Sequence, residues 1–330
     1  MSTLYRLRFI VFAFVTVLLA WQSRVAAEPA APVEFVQGDG RVNVAIGGQP
    51  VAVYYFQDEK ITQPFFAQVR APGGVQVTRR HPPIKGKDQT DHETFHPGIW
   101  MSFGDISGSD YWRLRAPIQH AEFVEAPKGG AGKGSFTVHN KYLNQKDPSK
   151  VVCEEVTRYS FLDRPEGHLL LWDATFTSDR EFTFGDQEEM GLGVRVATPL
   201  RVETSNEGGV PPGNGTILDS KGRKNEDEVW GNSAEWCDYS GTVGGQRAGI
   251  TIFCHPDNFR ASWFHARDRG LLEANPFGRQ AFGKGEKSSV AVKPGEKLRL
   301  RYGLLMHSGK PQSQPDFAAA YQDYLQLTKK

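Results

Sequence analysis

Apolar and polar residues alternate with a period of two along most of this chain, and the runs are broken by Gly, Pro, Asn and Asp. That period places successive side chains on opposite faces of a strand, so one face is buried and the other is wet. "VNVAIGGQPVAVYYF" reads as strand, Gly-Gly turn, strand, and "FFAQVRAPGGVQVTRR" reads the same way around Pro72-Gly73-Gly74. Three more hairpins are expected in "GIWMSFGDISGSDYWRL", "AEFVEAPKGGAGKGSFTVHNKYL" and "VVCEEVTRYSFLDRPEGHLLLWDATFTS". The series continues through "FTFGDQEEMGLGVRVAT", "AEWCDYSGTVGGQRAGITIFCHP", "FRASWFHAR" and "KLRLRYGLLMH". Roughly 15 or more strands at this spacing predict an all-β, two-sheet antiparallel sandwich. One helix is expected, over about 316–329. There Asp316 can cap, and Phe317, Ala320, Tyr321, Tyr324 and Leu325 form an apolar stripe. Residues 203–228 are polar and Gly-rich, and read as a surface excursion between strands.

The first residues follow another pattern. Arg6 and Arg8 precede an apolar run from Phe9 to Trp21, and Val25-Ala26-Ala27 supplies small residues before Glu28. This is the layout of a cleavable signal peptide over residues 1–27, and the run is short for a membrane span. The expectation is an exported protein, periplasmic or extracellular, with residues 28–330 as one β-domain. Lys plus Arg (39) nearly balances Asp plus Glu (38), and no basic stripe marks a nucleic-acid or membrane partner. Three cysteines are too few for a disulfide scaffold. Cys237 and Cys254 could bridge a short loop, or all three could be buried thiols.

Candidate chemistry gathers in three places. His92-Glu93-Thr94-Phe95-His96 spells H-E-x-x-H, which on a helix would present two zinc ligands. Here Pro97-Gly98 follows at once, and "HPPIKGKDQTD" precedes, so no helix is expected and the motif belongs to a loop. That loop is dense in titratable groups, among them His81, Asp91, His92 and His96. It suits acid/base work or, as a weaker alternative, a divalent metal held by a subset of His81, Asp91, His92 and His96; no cofactor is otherwise expected. In the second place, "ASWFHAR" read as a strand puts Trp263, His265 and Arg267 on one face, with Asp268 and Asn275 nearby. An aromatic ring, an imidazole and a guanidinium together suit a sugar; a structural Trp with an edge ion pair is the plainer alternative. In the third, a strand from Glu189 puts Glu189, Gly191, Gly193 and Arg195 on one face and Met190, Leu192, Val194 and Val196 on the core face. The two glycines would clear space beneath a ligand, or Glu189 and Arg195 could simply pair. Trp230 and Trp236 could line the same cleft or fill core.

"TQPFFAQVRAPGGVQVTRRHPPIKGKDQTDHETFHPGIWMSFGDISGSDYW", "EEMGLGVRVATPL", "VWGNSAEWCDYSG" and "HPDNFRASWFHARDRGLLEANPFG" resemble a bacterial family labelled DUF6807 or "methane oxygenase PmoA". The resemblance covers nearly all of residues 28–330 and implies a fold similar to the galactose-mutarotase-like supersandwich. Membrane methane monooxygenase subunits are built from transmembrane helices, and no segment after the N-terminal run is long and apolar enough for one. The resemblance therefore implies sugar chemistry by histidine and carboxylate. The expected function is an exported carbohydrate-active enzyme, an epimerase, lyase or glycoside hydrolase. Its catalytic candidates are His92, His96, Glu189, His265 and Asp268. Its substrate-binding candidates are His81, Asp91, Arg195, Trp236, Trp263, Arg267 and Asn275. A noncatalytic carbohydrate-binding protein is the alternative. Oligomeric state is left open.

Overall fold

Pairs of glycine at positive φ set the tight turns of this chain: Gly47 and Gly48 in one hairpin, Gly244 and Gly245 in another. Between such turns the alternating segments pair into sheets. The computed structural model describes residues 30–329 except 206–208. The expected signal segment, 1–27, lies outside the described residues.

The larger sheet runs β16 (Trp263–Arg267), β17 (Leu271–Asn275), β12 (Met190–Arg195), β5 (Ile99–Phe103), β4 (Phe65–Ala67), β3 (Gln49–Tyr55), β2 (Arg41–Ile46), β1 (Pro32–Gly38) and β7 (Gly130–Ala131). The second runs β13 (Thr216–Asp219), β14 (Trp236–Val243), β15 (Gln246–Cys254), β19 (Leu298–Gly309), β10 (Gly167–Thr177), β9 (Val151–Arg164), β8 (Lys133–Leu143) and β6 (Ile118–Lys128). A small pair, β11 (Phe182–Phe184) and β18 (Val290–Val292), completes the strands among the described residues. The pairings are antiparallel, so the protein is a two-sheet antiparallel sandwich.

The main core lies between the sheets. Met190, Leu192, Val194 and Val196 enter it, as their spacing predicts, with Tyr54, Phe66, Phe103, Phe136, Tyr159, Trp172 and Phe176. Each fully buried aromatic side chain of this kind adds roughly 2–3 kcal/mol over exposure. The second sheet has a further apolar patch of Leu162, Leu169, Leu171, Phe253 and Leu305. It is covered by Ala320, Tyr321 and Tyr324 of helix α2 (Phe317–Thr328). The Asp316 side chain accepts from the Ala319 N–H at 2.9 Å and caps that helix.

Several expectations change. The second halves of "FFAQVRAPGGVQVTRR" and "GIWMSFGDISGSDYWRL" are not strands: only the bridge Arg70–Gln76 closes the first, and the second breaks into turns after Phe103. Their buried apolar residues, Val77, Ile106, Tyr111 and Trp112, pack as irregular chain instead. The polar excursion of 203–228 contains β13 and a short helix, α1 (Asn225–Val229). The three cysteines are free and buried. Cys237 faces Ile252 across the β14–β15 ladder, which leaves Cys254 two positions out of register for a bridge.

Candidate functional site

On the outer face of the larger sheet one line of residues crosses four strands: Trp100 on β5, Gly193 on β12, Glu273 on β17 and His265 on β16. The core-facing neighbours of Trp100, Ile99 and Met101, show the alternation that turns this row outward. Gly193 does clear space, but for a protein ring. A Cβ built there would lie 2.6 Å from Cζ2 of the Trp100 indole. At Gly191 the Cβ would meet the Ala274 carbonyl at 2.2 Å. The glycines therefore admit Trp100 and the β17 backbone, not a ligand.

Above this floor lies a cleft of about 430 Å³, lined by residues from five parts of the chain. The loop before β5 brings Asp91, His92, Phe95 and His96. Trp112 and Arg113 follow β5, Glu188 and Glu189 precede β12, and Arg195 ends it. Glu226 comes from α1, and His265, Arg267, Arg269 and Leu271 from the β16–β17 hairpin.

The loop is shaped by a residue the sequence did not single out. Arg79 is fully buried, and its guanidinium donates to the carbonyls of Gln89, Asp91, His92 and His96 at 2.7–3.2 Å. Burial, with Arg195 nearby, pulls its pKa down to about 10. His92 has φ +48°, a left-handed conformation that His adopts more readily than most residues. The His96 N–H reaches back to the His92 carbonyl at 2.9 Å. H-E-x-x-H thus forms one isolated turn, with the two imidazoles 5.0 Å apart between centroids.

Arg195 is buried and donates to Gln89 Oε1 at 2.6 Å and to both Asp91 oxygens at 2.8 and 3.0 Å. It pairs with Asp91, not with Glu189. Burial works to raise the Asp91 pKa, but Arg195, the His92 hydrogen bond and Arg79 outweigh it and hold the carboxyl below its ordinary value. Asp91 Oδ2 in turn lies 3.2 Å from His92 Nδ1. His96 stacks on Trp100 (4.9 Å, 15°) and meets the edge of Trp112 (5.8 Å). Burial, then the Arg195 charge, drives its pKa well below the imidazole norm, so it is neutral at pH 7. With Arg195 Nη1 3.5 Å from His96 Nδ1, the proton belongs on Nε2.

His265 is fully engaged. Arg267 Nε donates to its Nε2 at 3.0 Å, so the ring proton sits on Nδ1, 3.2 Å from Glu273 Oε2. Burial and Arg267 lower its pKa to about 4. Glu273, wholly buried, also accepts from the Met190 N–H at 2.6 Å, and burial pushes its carboxyl well above the usual range. Arg267 then spans Glu226 (2.7 Å) and Glu188 (3.0 Å), and Arg113 joins Glu189 to Asp110.

Of the expected site residues, Asp91, His92, His96, Glu189, Arg195, His265 and Arg267 line this one cleft. The others lie elsewhere. Asp268 accepts from the Glu226 N–H at 2.9 Å while Glu226 accepts from the Asp268 N–H at 3.0 Å, which holds α1 to the hairpin rather than facing a ligand. Asn275 donates to the carbonyls of Gln187 and Glu188 and so fixes the segment that carries Glu188 and Glu189. Trp263 is flanked by Arg260 and Phe282. Trp236 packs on Phe317 of α2, against the other sheet. His81 meets the edges of Phe65 and Tyr55, apart from His92 and His96, so the proposed metal set does not assemble. Among the described residues no group of three His, Cys, Asp or Glu has metal-holding geometry.

Glu188, Glu226, Glu273, Trp112 and Arg113 went unremarked in the sequence. Glu273 had a signal: a hairpin turning at Asp268–Gly270 puts the lone acid of "LLEAN" opposite His265. Glu226 had none, because its place depends on how the 203–228 segment folds back.

The model of the family described as "Family of unknown function (DUF6807)" matches residues 41–322. No curated protein matches the chain in sequence. Among solved structures it is similar to the GalM/aldose epimerase homologue from C. elegans, at 9% identity and TM-score 0.33, covering 85% of this chain and 99% of that one. It is also similar to a galactose mutarotase-like protein from Lactobacillus casei ATCC 334, at 10% identity and TM-score 0.31, covering 83% and 100%. A third is the alpha-galactosidase from Lactobacillus brevis, at 7% identity and TM-score 0.36, covering 84% of this chain. The chain spans 39% of that galactosidase's length.

Proposed function

Since this chain belongs to the DUF6807 family, whose function is unknown, its activity has to be read from its own cleft, and we propose that it is an exported carbohydrate-active enzyme using histidine and carboxylate acid–base chemistry. The observation that carries this reading is the Asp91–His92 pair beside a neutral His96 in a polar cleft of about 430 Å³. Export rests on the basic and apolar N-terminal pattern alone.

Asp91 stays ionised and accepts a hydrogen bond from the Nδ1–H of His92, which leaves Nε2 of His92 to accept or return a substrate proton. His96 is too weakly basic for that role. Its Nε2–H instead suits it to donate to an oxygen on which negative charge develops. Glu189, steered by Arg113, is the second carboxyl. His265, with both nitrogens engaged, is a positioning residue for Arg267. In this arrangement Phe95 and Trp112 supply the apolar wall and the carboxylates supply hydroxyl acceptors.

The test is turnover on a broad panel of mono- and oligosaccharides. His92→Ala should cut turnover by about 10²–10⁴-fold with its melting temperature held. Asp91→Asn should cut turnover as far but also lower the melting temperature, because it unpairs the buried Arg195. The arginine pairing of the cleft carboxylates also favours a second reading, a noncatalytic sugar-binding protein. Sugar binding without turnover on any panel member would select that one.

A further inference from the structure

The cleft holds four arginines, and each guanidinium is already answered by an acid. Arg113 meets Glu189 and Asp110; Arg195 meets Asp91; Arg267 meets Glu188 and Glu226; Arg269 lies 3.6 Å from Glu203. The forks of Arg195 and Arg267 are used on both nitrogens, Arg195 on Gln89, Asp91 and His96, Arg267 on Glu226 and Glu188. None of the three arginines with well-formed partners presents an open fork to bind a carboxylate bidentately.

The acids are less fully engaged than the bases. Glu188 uses Oε2 on Arg267, and Glu189 uses Oε2 on Arg113; among the described residues neither Oε1 has a protein hydrogen-bond partner. Both residues are about one third exposed, at 37% and 30% of the side chain. Both residues line the cleft, so their unpartnered oxygens are acceptors available to a ligand there. A sugar hydroxyl can donate to such an oxygen. A ligand carboxylate would meet it as a like charge, with the guanidiniums of Arg113, Arg195 and Arg267 already committed to protein acids.

We infer that the cleft selects a neutral, hydroxyl-rich sugar, held through hydroxyls donated to Glu188 Oε1 and Glu189 Oε1, and discriminates against uronic acids. This rests on the carbohydrate reading above and narrows it. A lyase that abstracts a proton beside a substrate carboxylate does not fit this charge pattern, whereas an epimerase or hydrolase of neutral sugars does. Glu188 and Glu226 are then specificity determinants, because together they occupy Arg267.

The experiment is calorimetric titration of the protein from residue 28 onward, at pH 7.5 and low salt, with D-galactose against D-galacturonate and D-glucose against D-glucuronate. The neutral member of at least one pair should bind about tenfold or more tightly than its uronate. In Glu188→Gln/Glu226→Gln, Arg267 is released, and the ratio should move towards the uronate by about tenfold. If a uronate binds as tightly as its neutral partner in the unaltered protein, the charge assignment is overturned while the carbohydrate reading stands. If none of the four sugars binds at tens of millimolar and the mono- and oligosaccharide panel likewise gives neither binding nor turnover, the carbohydrate reading falls and takes this inference with it. A melting curve of the double variant guards against unfolding, and the comparison on the unaltered protein decides the matter without it.

Discussion

His265 is folded into the floor of the cleft with no nitrogen to spare, and its titration works against the fold in acid. Its pKa is about 4 in the fold against an ordinary value of 6.5. Below 6.5 the unfolded chain takes up a proton that the folded chain refuses. Stability therefore falls as pH drops from about 6.5 towards 4, by about 3 kcal/mol for this residue alone. His96, lowered for the same reason, adds to the loss. The buried carboxyls Glu273 and Glu155, raised by desolvation, work in the opposite sense as pH falls, so the histidine part is read by difference: His265→Gln should lose less melting temperature than the parent between pH 6.5 and 4. An unchanged slope in the variant would assign the acid sensitivity elsewhere. At this scale the sequence was informative where chemistry clustered along the chain. Local density and strand parity single out His92, His96, His265, Arg195 and Arg267, and the structure places all five in one cleft. Asp268, expected to be catalytic, and Asn275, expected to bind substrate, stand out in sequence by their polarity, whereas the backbone groups that engage them do not. Arg79 was overlooked for the converse reason: its four carbonyl partners exist only once the 80–96 loop has closed.

Among the elements, β12 and the 80–96 loop decide the geometry of the site. Trp100 occupies the hollow over Gly193, and the indole is fully buried. Gly193→Ala should cost about 1–3 kcal/mol through overpacking and should displace His96, which rests on that ring. Thermal melting would register the first effect, and loss of sugar binding the second. A variant as stable and as active as the parent would show that Trp100 yields freely. Arg79→Lys retains the charge but offers a single ammonium where a planar fork serves four carbonyls. We expect the loop to become a preferred site of limited proteolysis within residues 85–95, with sugar binding lost; an intact, protease-resistant loop would deny Arg79 its organising part. The hairpins with Gly-Gly turns were legible because turn chemistry and period agreed. The segments after Ala67 and after Phe103 were misread as strands. Apolar residues can be buried in irregular chain just as fully as in a sheet, and the period alone does not separate the two cases.

Across the whole molecule, the two sheets bury one face each against the other, and the two remaining faces are used differently. The larger sheet carries the cleft; the smaller is sealed by α2 over Leu162, Leu169, Leu171, Phe253 and Leu305. Ending the chain at Pro315 should expose that patch and yield protein that self-associates, seen as a shift to high mass in light scattering; a monodisperse truncated protein would show α2 to be dispensable. Sandwich architecture and the C-terminal helix were readable because each rests on a repeated pattern. The order of strands was not, since β12 lies between β5 and β17 through contacts distant along the chain. The three free thiols bear on how the protein meets its redox surroundings. Burial raises Cys153 and Cys237 well above the ordinary thiol range and Cys254 to about 12, so none offers a thiolate for exchange. The chain needs no oxidant to mature and presents nothing for a reductant to undo. Material made in a reducing cytoplasm should be interchangeable with material matured in an oxidising compartment.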